Sequence, residues 1–124
     1  MLLVDDDFEF RNVVAEALQE NGWEVRGAAT GIQALEVMRR WPPEVILLDL
    51  MMPEMNGWEF SKEANRRFRL SGIPLVLVSA RIDPHSEIAA LRAEAALAKP
   101  FDLEELESVL DELTNMPLSP EASQ

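Results

Sequence analysis

Cysteine and tyrosine are absent from this sequence, and histidine occurs once, at His85. Without cysteine there can be no disulfide and no thiolate metal site. His85 follows Asp83-Pro84, in what reads as the first turn of a helix. With no helical bundle around it, it does not read as a catalytic histidine or a phosphohistidine. No apolar run approaches the ~20 residues that a membrane span needs. Asp5, Asp6 and Asp7 interrupt Leu2-Leu3-Val4 almost at once, so no signal peptide is expected. Taken with the missing cysteine, this makes the cytoplasm the expected compartment. Basic residues are scarce as well: 11 Lys and Arg stand against 23 Asp and Glu, for a net charge of -12. Neutralising phosphates needs a basic face, so this chain is not expected to bind nucleic acid itself. The one basic cluster, Arg66, Arg67 and Arg69, is short and reads as a solvated helix end. The acidic excess suits a module that binds a metal cation or a basic partner, and equally one that is merely soluble.

What remains is a globular composition. The 124 residues are 48% hydrophobic and 27% charged, enough for one domain with one core. There is no internal repeat. Leu2 to Val4 starts a strand. Phe10, Val13, Val14, Ala17 and Leu18 form one apolar helical stripe, ended by Asn21-Gly22 as a left-handed cap would end it. Trp23 to Ala29 reads as a less apolar strand, nearer an edge. Thr30 with Gln33 opens a second helix as a capping box, with Ala34, Leu35 and Met38 inward, and Trp41-Pro42-Pro43 stops it. Val45-Ile46-Leu47-Leu48 and Leu75-Val76-Leu77-Val78 are continuous apolar runs, as strands buried on both faces require. Between them lie a turn, Met52 to Gly57, and a third helix from about Trp58 to Phe68. Asp83-Pro84 starts a fourth helix reaching Ala95, and Ala96 to Ala98 is a short fifth strand. Asp102 with Glu105 caps a last helix whose stripe is Leu106, Val109, Leu110 and Leu113. Alternating strands and helices predict an α/β fold, a parallel sheet covered on both faces. Residues 1–116 are expected to form the domain, and 117–124 a flexible tail or the start of a linker.

In such a sheet, ligands bind beyond the carboxyl ends of the strands. Asp5 and Asp6 follow the first apolar run, Asp49 the third, Ser79 the fourth and Lys99 the fifth. Three carboxylates brought to one spot repel each other unless a cation lies between them. Oxygen donors of this kind suit Mg2+, with Mn2+ as an alternative. A lysine and a hydroxyl beside them point to phosphoryl transfer, where positioning and charge neutralisation supply nearly all the catalysis. Asp49 is then the nucleophile, Asp5 and Asp6 hold the metal, and Ser79 and Lys99 hold phosphoryl oxygens. Asp7 reads better as a helix N-cap than as a ligand. Met38, Met51, Met52 and Met55 read as packing and turn residues.

Val4-Asp5-Asp6-Asp7, Leu47-Leu48-Asp49-Leu50-Met51-Met52-Pro53, Met55-Asn56-Gly57, Val78-Ser79-Ala80 and Lys99-Pro100-Phe101 together resemble the receiver domains of bacterial two-component response regulators. The resemblance covers nearly the whole chain. It implies a flavodoxin-like, doubly wound sheet of five parallel strands in the order 2-1-3-4-5, with five helices. It implies that Asp49 is phosphorylated by a partner histidine, on a sensor histidine kinase or a histidine phosphotransfer domain. Asp6 would bind Mg2+ directly, Asp5 largely through water, and the backbone carbonyl of Met51 would complete the protein's ligands. Ser79, with Ala80 beside it, is the switch position, and Ser79 would swing toward the phosphoryl group. Lys99 would pair with that group from a Lys99-Pro100 bond that is cis in the family. Self-catalysed phosphotransfer and autodephosphorylation are the only chemistry implied. A homodimer is compatible with it, through the helix after Asp83, the fifth strand and the last helix.

The sequence departs from the family at Ala96, where a tyrosine or phenylalanine is usual, so the usual aromatic switch has no ring. Arg92-Ala93-Glu94-Ala95 lacks the usual glycine. Met51 and Arg81 would flank the phosphoryl group, and Met51 cannot orient a water by hydrogen bonding, which implies a long-lived aspartyl phosphate. Two other functions compete. One is a binding-only pseudo-receiver, which Ala96 motivates. The other is a small Mg2+-dependent phosphatase, for which Asp5 and Asp7 have the spacing but Glu9 is the wrong residue.

Overall fold

Alternate residues along a strand point to opposite faces, and here both faces are apolar, so the sheet carries two cores. The computed structural model describes residues 1–52, 55–68, 72–80 and 93–115. In chain order these form β1 (Leu2–Val4), α1 (Phe8–Glu20), β2 (Arg26–Ala28), α2 (Gly31–Arg40), β3 (Ile46–Asp49), α3 (Gly57–Phe68), β4 (Leu75–Ser79), β5 (Ala95–Ala98) and α4 (Leu103–Asn115). The strands are parallel in the order β2-β1-β3-β4-β5. Leu2, Val4, Ile46, Leu48, Leu75 and Leu77 meet Ala34, Leu35 and Met38 of α2 and Phe60 and Ala64 of α3 on one face. Leu3, Leu47, Val76, Val78 and Leu97 meet Val14 and Leu18 of α1 and Leu106 and Leu110 of α4 on the other. The two edge strands, β2 and β5, are the less buried ones, as their weaker apolar character predicts. Among the described residues there are four helices. The helix expected from Asp83 falls in residues 81–92, outside the described residues, as does the tail from Met116.

The helix signals hold at atomic detail. Asp7 Oδ1 accepts the Phe10 N–H at 3.1 Å, and Thr30 Oγ1 accepts that of Gln33 at 3.1 Å. At the other end of α1, Trp23 N–H bonds to Leu18 O and Gly22 N–H to Gln19 O, with Gly22 at φ +92°. This is a Schellman closure, and it needs the left-handed conformation that glycine adopts without strain.

Three boundaries differ from expectation. Val13 belongs to the predicted stripe yet is 59% exposed, because Val14 and Leu18 already fill the face that α1 turns to the sheet. The second strand is only Arg26–Ala28, since β1 offers just three residues to pair with. The chain before β5 is not helical through Ala95. Glu94 N–H bonds to Leu75 O and its carboxylate accepts the Leu75 N–H, which draws the segment into the sheet with Ala95 opposite Val76.

Candidate phosphoacceptor site

The carboxyl ends of β1, β3, β4 and β5 place the predicted residues together. Asp5 follows β1, and its backbone N–H bonds to Ala28 O of β2 at 3.1 Å. Asp49 is the last residue of β3, paired with Val78 of β4. Ser79 ends β4, buried, and its carbonyl accepts the Lys99 N–H at 2.9 Å. Ala80 beside it is exposed. The Lys99-Pro100 bond is cis.

Carboxylate oxygens of Asp5, Asp6 and Asp49 lie within 4.8 Å of one another. Asp5 and Asp49 are 1% and 5% exposed, while Asp6 faces solvent. Lys99 Nζ sits 2.7 Å from Asp5 Oδ2 and 3.7 Å from Asp49 Oδ2. Lys99 thus pairs chiefly with Asp5 and lies at longer range from Asp49. Asp5 Oδ1 accepts the Asp7 N–H at 2.9 Å, and Asp49 Oδ1 accepts the Met51 N–H at 3.0 Å. Burial pushes the Asp49 carboxyl up to about 6; the Met51 N–H and Lys99 oppose this, and Asp5 and Asp6 add to it.

Three carboxylates against one ammonium leave two negative charges in excess. The donors are all hard oxygens on short side chains, which is what Mg2+ takes and what thiophilic metals do not. The residues present thus fit a divalent cation. The side chain of Met51 is exposed at the mouth of the site. Ala96 is half-buried against the core that contains Leu77, with no ring to move. Arg81 lies outside the described residues.

Sequence reading missed several residues that build this site. Arg11 Nη1 donates to the Asp5 carbonyl at 2.7 Å, fixing the backbone between Asp5 and α1. Gly57 lets α3 start against the Asp49 loop: a Cβ there would stand 2.8 Å from Leu50 Cα and 3.0 Å from Asp49 O. Asn56 and Glu59 cap α3 reciprocally, Glu59 N–H to Asn56 Oδ1 at 3.0 Å and Asn56 N–H to Glu59 Oε1 at 3.3 Å. The Asn-x-x-Glu spacing was a usable signal for that cap. Arg11 had none, because its role depends on which carbonyl lies opposite; Gly57 stands in the Met55-Asn56-Gly57 motif, which marked the turn but not the close approach of Leu50.

Comparison with known proteins agrees with this geometry. The profile of the response regulator receiver domain family matches residues 1–111. The response regulator MprA of Mycobacterium leprae (strain TN) is 38% identical over 110 residues, covering 86% of this chain and 46% of that protein. The transcriptional regulatory protein CpxR homolog of Haemophilus influenzae is 34% identical over 108 residues, covering 86% of this chain and 46% of that protein. The chain therefore spans about half the length of these curated relatives. The crystal structure of the chemotaxis response regulator CheY4 of Vibrio cholerae superposes with a TM-score of 0.82 at 33% identity, covering 90% of this chain and 95% of that one. No helix among the described residues is long and apolar enough to cross a membrane.

Proposed function

The chain belongs to the response regulator receiver domain family, and from that membership we propose that it accepts a phosphoryl group on Asp49 from a phosphohistidine of a partner protein. The donor would be a sensor histidine kinase or a histidine phosphotransfer domain. The observation that carries this reading is the convergence of Asp5, Asp6 and Asp49 within 4.8 Å, with Lys99 closing one side. A structural role alone does not account for burying two carboxylates at adjacent strand ends, because each costs desolvation.

In the transfer, an Asp49 carboxylate oxygen attacks phosphorus. The new O–P bond forms as the P–N bond to imidazole breaks, and the imidazole nitrogen leaves with the electron pair. Asp5, Asp6, Asp49 and the Met51 carbonyl would hold Mg2+, which supplies positive charge to the phosphoryl oxygens when bound. The Met51 N–H on Asp49 Oδ1 fixes the rotation of the nucleophile. Lys99 stands 3.7 Å from Asp49 Oδ2, placed to leave Asp5 and take up a phosphoryl oxygen. Ser79, and Ala80 next to it, would complete the phosphoryl contacts and report the change. The exposed Met51 and Phe8 lie beside the acidic cluster in sequence, apolar surface for a docking donor.

A partner reading this state at α4 would be basic. Glu104, Glu105, Glu107, Asp111 and Glu112 lie on that helix with no lysine or arginine among them, which disfavours a homodimer through the same helix. With a net charge of -12, this chain itself is not expected to be a nucleic-acid contact.

The test is transfer of label from a phosphorylated histidine phosphotransfer domain to the chain, followed by hydroxylamine. An acyl phosphate loses its label to hydroxylamine and a phosphoester does not. Steady turnover of a generic phosphate ester would instead support the phosphatase alternative, and no transfer from any donor would support a binding-only pseudo-receiver.

A further inference from the structure

Lys99 has a neighbour that the acid–base chemistry does not explain. Its Nζ lies 4.2 Å from the centroid of the Phe10 ring, on α1. Phe10 in turn meets Phe101 edge-on, with centroids 5.7 Å apart and planes at 83°. Phe101 is two residues beyond Lys99, so the loop that carries the lysine also braces the ring facing it. We propose that Phe10 is a positioning residue for Lys99, its ring face holding the ammonium at the mouth of the acidic site and Phe101 fixing the ring.

Lysine is a point charge on a long, flexible stem, and it keeps one position only if its surroundings select it. Asp5 and Asp49 draw the ammonium from one side. The negative face of an aromatic ring attracts it from another without forming a bond that must be broken, so the lysine can shift between oxygens while staying over the ring. The Lys99 side chain is only 23% exposed, which strengthens such an attraction over its value in open water. A leucine at position 10 would fill similar apolar space but would present no such face. The consequence for phosphoryl transfer rests on the function proposed above; the placement of Lys99 by Phe10 does not.

The chain has only two lysines, Lys62 and Lys99, which makes the test direct. The full chain, labelled with 13C-lysine, gives two sets of ε-methylene signals, with exposed Lys62 on α3 as the internal control. Lys99 over a ring face resonates upfield of Lys62. Phe10→Leu is expected to collapse that upfield shift and to slow phosphoryl uptake from acetyl phosphate roughly three- to tenfold, the range of a partly desolvated cation–π contact. Phe10→Tyr, which keeps the ring face, is expected to restore both. Should Phe10→Leu fail to fold, Phe101→Leu serves instead, reducing the shift by releasing the brace. Lys99 signals unmoved by the leucine variant, or a tyrosine variant as slow as the leucine one, would overturn the proposal. A wild-type chain that takes up no phosphoryl group while the Lys99 signals still respond would refute the phosphoacceptor reading and leave the positioning intact.

Discussion

Lys99 neutralises Asp5 first: its Nζ lies 2.7 Å from Asp5 Oδ2, against 3.7 Å from Asp49. Asp5 is 1% exposed, so this pair holds a buried charge. Lys99→Met leaves that carboxylate, among the described residues, with the Asp7 N–H as its hydrogen-bond donor. The expected cost is about 3 kcal/mol of stability in metal-free buffer, because breaking one partner of a buried pair leaves the other uncompensated. Mg2+ should recover most of it and should bind at least about tenfold tighter than to wild type, since a competing positive charge near 4 Å has gone. Thermal melts and calorimetric titration check both; an unchanged melt would contradict the pairing.

The Asp49 carboxyl sets a pH dependence of the opposite sense to that of most paired acids. It sits near 6 in the folded chain and near the ordinary carboxylate value, 3.8, when unfolded. Between these values the folded state binds more protons, so this group's contribution to stability is fullest below about pH 4 and falls as pH rises through 6, by at most about 3 kcal/mol and by less where water screens the charge. Asp49→Asn removes the penalty. Without metal the variant should be more stable than wild type at pH 8 by up to that amount, and the difference should vanish near pH 4. Mg2+ affinity of the wild type should weaken below pH 6, where the ion must displace a proton. Denaturant unfolding of both proteins across this range is the measurement, and a flat difference would contradict the burial of Asp49.

Gly57 and Gly31 should answer differently to alanine. At Gly57 the added Cβ meets backbone, Leu50 Cα at 2.8 Å, in the loop that carries Asp49 and Met51. The expected loss is about 1–3 kcal/mol, together with slower phosphoryl uptake because the loop must move. At Gly31 the Cβ meets only side-chain atoms of Met55, Sδ at 2.7 Å, Cγ at 2.9 Å and Cβ at 3.2 Å, which give way more readily than backbone. Gly31→Ala should cost less, and equal losses at the two sites would contradict the account of the loop.

Met51 is exposed at the site and carries no group that can orient water. The aspartyl phosphate of the wild type is therefore expected to be long-lived, and Met51→Asn should shorten its half-life several-fold. Equal decay rates for the two proteins, followed by mass spectrometry, would sink that expectation.

Much of the fold was legible because its signals are local or strictly periodic. The runs Val45 to Leu48 and Leu75 to Val78 are apolar on both faces, which only central strands of a covered sheet need. Asp7, Thr30 and Asn21-Gly22 announce helix ends through bonds spanning a few residues. The site carboxylates were legible because polar residues directly after buried strands have one place to go. What escaped has no local signature: Arg11 reaches back six residues to the Asp5 carbonyl, Gly57 yields space to Leu50 seven residues earlier, and Phe10 meets Lys99 across 89 positions of sequence. Val13 was misplaced for a related reason, since periodicity gives the stripe but not how wide a stripe the sheet can cover.

The measurement that bears most directly on the central claim is the intact mass of the chain after incubation with acetyl phosphate, with and without Mg2+, for wild type and Asp49→Asn. The account predicts a gain of one phosphoryl group by wild type with Mg2+, and none when either Mg2+ or Asp49 is removed. A gain that survives Asp49→Asn, or no gain under any condition, would contradict it.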